Sequence, residues 1–534
     1  FGQNPGTNHP RMLSELQEAS KRGARIVSFN PLKEAGLKGF VHPQDPIGML
    51  TNKATPISSH YYQPQIGGDM AAVRGMVKYI FEQQELRGDI LDNEFIAEHC
   101  SGFEDYKKVV ESEDWDNLVE QSGLSKEQII ESAEVYINAE KVICCWAMGL
   151  TQQKHGVASI QEIMSLLFLK GNIGRPGAGA CPVRGHSNVQ GDRTVGITEN
   201  PTEEFLQSLD SAFKINSPRE HGYSVVHAIK AMKEEKGKIF FGMGGNFASA
   251  TPDTDLTWEA LRNCRLTVHV STHLNRSHLI TGDKALILPC LGRSELDVQE
   301  TGVQSVTVED SMSMVHASTG SNLPATTSLK SEPAIVAGMG KALFGNAPVN
   351  WDELGGDYDK IREKIEEVLP MFKDYNKGIQ VKGGFHLRNS AAEREWRTET
   401  GKARFIDNIL PKLSTPKGRL RLMTLRSHDQ YNTTIYDYND RYRGIKGERM
   451  IIFMNEEDIR EQGLTEQDRV LITSYAGDGK KRIASGFRPV AYDIPKGCTS
   501  AYFPEANVLV GIDDVAVKSH TPVSKFIEIS LKKI

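Results

Sequence analysis

Residues 171–191 read GNIGRPGAGACPVRGHSNVQG: six glycines, three asparagines or glutamines and two arginines in 21 residues, with no acidic side chain. Backbone this rich in glycine can bring its N–H groups close to a large polar ligand. The amides of Asn172, Asn188 and Gln190 both donate and accept hydrogen bonds. Arg175 and Arg184 each carry a planar fork suited to carboxylate or phosphate. Arg184 is expected to be buried and therefore paired, since an unpaired buried charge is very costly; it then either meets an anionic ligand or makes a structural salt bridge. A surface loop of ordinary turn residues is the plainer reading of the whole stretch. A second stretch, GxNPxxNHP over 2–10, sets Asn4, Asn8 and His9 at a strand-to-helix turn whose helix N-terminus can receive a pyrophosphate. Asn-Pro and Asn-His-Pro are equally ordinary turn and cap signals. Cys181, three residues before Arg184, reads as an inert buried thiol rather than a metal ligand.

Loops of this kind need strands that end in them. Residues 1–5 look like a strand end entering a polar turn. Met12, Leu13, Leu16 and Ala19 then mark a helix face that Gly23 ends. Residues 25–29 form a short buried strand, broken by Asn30-Pro31, with Asn30 at the carboxyl end where doubly wound sheets bind ligands. Helices are expected over 69–85 and 92–99, and a buried strand over 142–146 with Met148-Gly149 at its carboxyl end. Ile160, Ile163, Met164 and Leu167 lie at helical spacing and run into Gly171, a natural stop. After a polar break at 197–222, a strand over 238–243 leads into Gly244-Gly245-Asn246. A helix over 256–264 and strands over 266–270 and 285–288 follow. Strands alternating with helices imply parallel sheets covered on both faces.

Residues 316–332 read as a Ser/Thr-rich loop and 345–400 as charged and irregular. From 418 onward short strands with Gly and Pro turns, over 419–425, 450–454, 469–473, 481–486 and 498–503, suit a small β-barrel. The division expected is an α/β domain over 1–195, a second over 196–345, an irregular connection over 346–415 and the barrel over 416–534.

At 534 residues the chain exceeds one ordinary domain, and its 39% apolar and 25% charged composition is that of a globular protein with a sizeable core. A net charge of −6 gives no case for nucleic acid binding, and no apolar run reaches membrane-spanning length. The seven cysteines form no CxxC pair; they read as reduced, mostly buried thiols of a cytoplasmic protein and offer no iron–sulfur site. There is no P-loop, GxSxG elbow or HExxH, and His60 and His155, lacking metal-spaced partners, read as structural.

GNIGRPGAG followed by PVRGHSNVQG resembles the loop of molybdenum formate dehydrogenases and their relatives, the oxidoreductases that carry two molybdopterin guanine dinucleotides. The resemblance runs from Gly2-Gln3-Asn4-Pro5 through Trp146–Gln152 and Met243–Asn246 to the last residues. PISSHYYQPQIGGD, GDRTVGI and YFPEANVLV are similar to the YdeP-like branch. It implies an α/β fold of interleaved doubly wound, Rossmann-like domains around a bis-pterin site, with a C-terminal double-psi-type β-barrel. It also implies a molybdenum held by two dinucleotides and cycling between Mo(VI) and Mo(IV). A [4Fe–4S] cluster and the molybdenum ligand would both be supplied upstream of Phe1, so that no metal ligand is expected within the chain.

By the same resemblance Arg184 and His186 stand at the active site, Arg184 orienting a small anionic substrate. His186 takes the place of a glutamine found in formate dehydrogenase itself. Gly2, Asn4, Asn8, His9, Asn30, Met148, Gln152, Gly185, Asn188, Gly244, Asn246 and Thr272 would contact the cofactor, with Asn246 and Thr272 standing where the family has aspartates. Arg426, Gln430 and Asn432 match the family's R-x-x-x-H-x-S segment in part, with Gln430 for histidine and Asn432 for serine. Asn507 and Lys525 match more closely. An electron-transfer partner protein is a further implication. The competing expectation is a non-catalytic electron-transfer or scaffold subunit that keeps the fold without pterin.

Overall fold

The computed structural model describes residues 1–534 apart from Asn52, Ser187, Asn432 and Thr434. The chain groups into two compact units. The first comprises Phe1–Val183, Pro252–Thr254 and Ser390–Ile534; the second comprises Arg184–Thr251 and Asp255–Asn389. The chain therefore leaves the first unit and returns to it, which is the interleaving expected of the fold class.

In the first unit two short parallel ladders carry the loops of interest. Val27–Phe29 pairs with His60–Tyr62, and Ile143–Trp146 pairs with Gly179–Pro182. The helices Asp69–Arg87 and Gly156–Leu169 are buried along most of their length and supply Val77, Ile80, Ile163 and Leu167 to a core shared with Phe29, Tyr62 and Trp146. An ion pair joins these helices: Arg74, fully buried, donates to both Glu162 oxygens at 2.6 and 2.8 Å. Asp92 caps Asn93–His99 by accepting from the Phe95 N–H, and a Ser125/Gln128 capping box opens Lys126–Ile137.

The same unit contains a closed six-stranded barrel. Its strands in order around the barrel are Leu420–Leu425, Cys498–Tyr502, Ile451–Met454, Lys481–Ala491, Val470–Tyr475 and Ile527–Lys533. The first pair and the Ile451–Met454/Lys481–Ala491 pair are parallel, and the rest are antiparallel. Five of these strands match the expected ones. The sixth, Ile527–Lys533, was not expected, and it closes the barrel by pairing with both Leu420–Leu425 and Val470–Tyr475. Residues Pro252–Thr254 belong to this unit because the Asp253 carboxylate accepts from Arg482 at 2.5 Å and from the Ile512 N–H at 3.3 Å.

The second unit is built on a parallel sheet in the order Lys284–Pro289, Leu266–Ser271, Ile239–Met243, with Ile239 and Lys284 both in register with Leu266. Val225–Lys233, capped by Ser224, and Thr254–Arg262 are the helices of its α/β pattern. A three-stranded antiparallel sheet combines Val306–Glu309, Met314–Ser318 and Phe385–His386. The stretch expected to be irregular contains the helices Trp351–Gly356 and Tyr358–Val368. Its charges sit at i,i+3 on the second helix, as Lys360–Glu363 and Lys364–Glu367, which supports a helix rather than a loop. No described helix is long and apolar enough to cross a membrane.

Candidate functional site

In the first unit the strand ends bring several expected residues together. The Gly2 N–H donates to Phe29 O at 3.2 Å, the Ala147 N–H to Phe1 O at 3.2 Å, and the Gly149 N–H to Gly2 O at 3.1 Å. The turn of 1–4, which has backbone pairing but no strand, thus lies between the carboxyl ends of Val27–Phe29 and Ile143–Trp146. Glycine is required at this crossing. A Cβ on Gly149 would stand 2.5 Å from the Gly2 Cα, and Gly2 itself has φ +55°. Met148 and Gln152 follow on the short helix after Trp146, and the Gln152 amide donates to the Met148 sulfur at 3.6 Å.

Asn30 is buried. Its side chain donates to Gln3 O at 3.5 Å and accepts from the Leu32 N–H at 3.4 Å, so it ties two of these loops together. Asn4 donates to Thr7 Oγ1 at 3.1 Å, Asn8 is exposed and donates to Asn4 O, and the His9 N–H donates to Pro5 O. Asp69 and His428 were not foreseen. Asp69 is buried at the start of its helix, where burial pushes its carboxyl up to about 6 and Gln153 hydrogen-bonds it. Gln153 also donates to Gly149 O at 2.5 Å. His428 is buried with Arg441 at 3.1 Å from its Nε2, and burial lowers its pKa. Neither residue belongs to a spacing pattern that a sequence reading could detect.

The loops of the barrel supply cations. The Lys525 N–H donates to Gln152 O at 3.0 Å, which joins the end of the chain to the Met148 loop. The Lys525 Nζ donates to Thr424 O and, at 3.3 Å, to Thr424 Oγ1. Burial, followed by repulsion from Arg426 and Arg443, holds the half-buried Lys525 ammonium down at about 7. Arg426 is also lowered, by burial, and its guanidinium makes no hydrogen bond or ion pair with any described residue. Arg443 is balanced by Glu34 and Asp440, each at 2.7 Å, and Arg449 by Glu505 at 2.7 and 3.1 Å. Lys525 and Arg426 are thus neighbouring cations with no carboxylate beside them, a donor set that fits a polyanion such as a pyrophosphate.

Gln430 is hydrogen-bonded within the barrel region. Its amide accepts from the Ser427 N–H of its own loop at 2.9 Å and from the distant Arg449 at 3.2 Å, and it donates to Phe503 O at 2.7 Å. Asn507 is buried on the loop after Cys498–Tyr502. Asn432 lies outside the described residues.

In the second unit Gly244, Asn246 and Thr272 lie at the carboxyl edge of the parallel sheet, the edge at which such sheets bind ligands. Gly244 and Gly245 have φ +68° and +71°, and a Cβ on either would meet open space. Asn246 is buried and accepts from Ser277 Oγ at 2.9 Å, while Thr272 is exposed. The expectation that Arg184 is buried is overturned: it is exposed, as are Gly185 and His186, because the chain runs along the surface there. The Arg184 Nη2 donates to Gln190 Oε1 at 2.6 Å, a neutral partner. Asn188, at φ +66°, accepts from the Glu309 N–H at 3.0 Å and donates to Asp192 at 3.1 Å, so it anchors this loop to Val306–Glu309. A cavity of about 590 Å³ lies in this unit, between Asn188, Met243, Leu291, Val306, Val336 and Trp351 among others. Among the described residues no group of three or more His, Cys, Asp or Glu side chains could hold a metal ion.

The profile of the molybdopterin oxidoreductase family matches residues 1–289, and that of the molydopterin dinucleotide binding domain matches 420–528, which takes in the barrel except most of its closing strand. An uncharacterized oxidoreductase of Mycobacterium tuberculosis is 49% identical over 99% of the chain and 69% of its own length. Protein YdeP of Escherichia coli is 46% identical over 100% of the chain and 71% of its own length. The alpha subunit of an F420-dependent formate dehydrogenase from Methanocaldococcus jannaschii is 28% identical over 49% of the chain and 36% of its own length. Among solved structures, acetylene hydratase from Pelobacter acetylenicus superposes with a TM-score of 0.68 at 14% identity, covering 98% of this chain and 76% of that one, a likeness of fold.

Proposed function

Because the chain belongs to the molybdopterin oxidoreductase family, we propose that it is the large catalytic portion of a formate-dehydrogenase-like enzyme that oxidises or reduces a small anion. The cofactor would be a molybdenum or tungsten carrying two pterin guanine dinucleotides. Electrons would pass through a [4Fe–4S] cluster to a partner protein, and the enzyme would act in the cytoplasm. When bound, the metal centre supplies the two-electron chemistry, and the protein supplies placement, charge and exclusion of water.

The observation that carries this reading is the pair of cations at the barrel, Arg426 and Lys525, with no carboxylate to balance them. They would bind a pyrophosphate. Met148 and Gln152, joined to Lys525 through Gln152 O, would line the adjoining pterin. The Gly2–Gly149 crossing would let backbone lie where side chains cannot. Gly244, Asn246 and Thr272 would meet a guanine at their sheet edge. Arg184 would hold the substrate carboxylate through its fork, and His186, on the same exposed loop, would exchange a proton with it.

Metal and pterin analysis of full-length protein from a cofactor-competent host tests the reading. About one molybdenum or tungsten and two pterins per chain are expected from the family resemblance. Arg426→Gln should lower the pterin content several-fold with the melting temperature unchanged. Protein with neither metal nor pterin would be the non-catalytic electron-transfer or scaffold subunit instead.

A further inference from the structure

Cys145 and Cys181 are register partners on the parallel strands Ile143–Trp146 and Gly179–Pro182. Both are half-buried, whereas the other five cysteines are buried. A hydrogen bond from Cys181 and, after it, the charge of the Phe1 amino group lower the Cys145 thiol against the opposing effect of burial. Cys144 points to the other face of the same strand, is buried, and is pushed up to about 12 by that burial. Of two adjacent cysteines, therefore, one is the more acidic and has a second sulfur against it, and its neighbour stays protonated. A thiolate within reach of solvent beside a resolving thiol is the arrangement that reacts with peroxides.

We propose that Cys145 and Cys181 are a modification site, a dithiol that hydrogen peroxide converts to a reversible disulfide. The Cys145 thiolate attacks one peroxide oxygen and the O–O bond breaks. The sulfur becomes a sulfenic acid, and the departing hydroxide takes a proton to leave as water. The Cys181 sulfur then attacks the sulfenic sulfur, the S–S bond forms, and the hydroxyl leaves with the Cys181 proton as a second water. Two thiols are oxidised by two electrons in total, and one peroxide is reduced to two waters.

Neighbouring strands lie about 4.8 Å apart, within the roughly 4.4–6.8 Å that a disulfide spans between Cα atoms. The bond can therefore form between these register partners, and its partial exposure leaves it open to a reductant. Each strand ends one residue after its cysteine, and the chain reaches Met148 and Arg184 two residues later. Oxidation would therefore act on the chain segments that carry both.

The test exposes full-length protein to a few equivalents of hydrogen peroxide, blocks remaining thiols by alkylation, digests with trypsin and maps the peptides by tandem mass spectrometry. The peptides 142–154 and 171–184 should be linked through Cys145 and Cys181, with Cys144 alkylated, and dithiothreitol should release both thiols. Cys181→Ser should leave Cys145 as a sulfenic acid that a 1,3-dione traps. A link through Cys144, oxidation of Cys145 to the sulfinic acid with Cys181 still alkylated, or both thiols alkylated as in untreated protein would each overturn the proposal.

Discussion

Arg74 and Arg184 lie in different units and work in opposite regimes. Arg74 is fully buried, grips both oxygens of Glu162, donates to Asn408 O at 2.9 Å and meets Glu113 at 3.2 Å. Tyr106 completes the Glu162 shell at 2.6 Å. Every polar atom there answers another, so the arginine is part of the core. Arg184 is exposed on a glycine-rich loop, and its Nη2 donates to the Gln190 amide oxygen. Arg426 and Lys525 form a third case, drawn partly out of water like Arg74 but without its anions. Burial, not residue type, sets Arg74 apart from the exposed Arg184, and the charge of its partners sets it apart from Arg426 and Lys525.

Arg74→Ala probes the structural end of this contrast most severely. It strands the Glu162 carboxylate among apolar side chains, and the loss should be about 3–5 kcal/mol of unfolding free energy. Denaturant melts of the full-length protein read it directly. Arg184→Ala should stay within about 0.5 kcal/mol in the same melts, as for other exposed positions. A comparable loss in both would erase the distinction.

Arg184→Lys addresses the proposed substrate-holding role. The charge remains and the fork goes. Turnover of the anionic substrate, with formate tried first, should fall on the order of 100-fold, about 2.7 kcal/mol. Pterin content and melting temperature should hold. Lost metal, or a lower melting temperature with full activity per metal, would make Arg184 a structural residue after all.

The smallest effect concerns Lys525. With its pKa held down near 7, the apo protein carries the ammonium below about pH 7 and the neutral amine above it. A polyanion must bring the proton back. Affinity of apo protein for inorganic pyrophosphate should therefore fall as pH rises past 7, by up to about tenfold per pH unit, with proton uptake on binding. The same depressed pKa makes this lysine's contribution to apo stability complete only above the unfolded value near 10.4, and lost as pH falls towards 7. Calorimetry at several pH values in two buffers of different ionisation enthalpy measures the uptake. Lys525→Met sees the same ligand titration and isolates the lysine's share; an unchanged slope in that variant would remove Lys525 from the anion site.

Much of this arrangement is legible in the sequence. Strands over 238–243, 266–270 and 285–288 appear as Ile239–Met243, Leu266–Ser271 and Lys284–Pro289, because short apolar runs bounded by Gly and Pro are local signals. Gly2, Met148 and Gln152 are indeed brought to one crossing, since each follows or meets a strand end. Gln430 and Asn188 were legible only as polar loop residues. Which neighbour takes up each amide, Phe503 O and Arg449 for one and the Glu309 N–H for the other, depends on distant segments. Asp69 and His428 gave no signal, since a single polar residue has no period.

What the sequence by itself determined is therefore the order of elements, the glycine-rich turns at strand ends and, through the succession of motifs, the family. All of these are properties of neighbouring residues. Only the tertiary structure decided that Ile527–Lys533 closes the barrel, that Arg184 is exposed, that Lys525 lies beside Arg426 without an anion, and that Cys145 faces Cys181 while Cys144 does not. Each of these depends on which distant segments packing brings into contact and on how far water is kept from the charges and thiols that meet there.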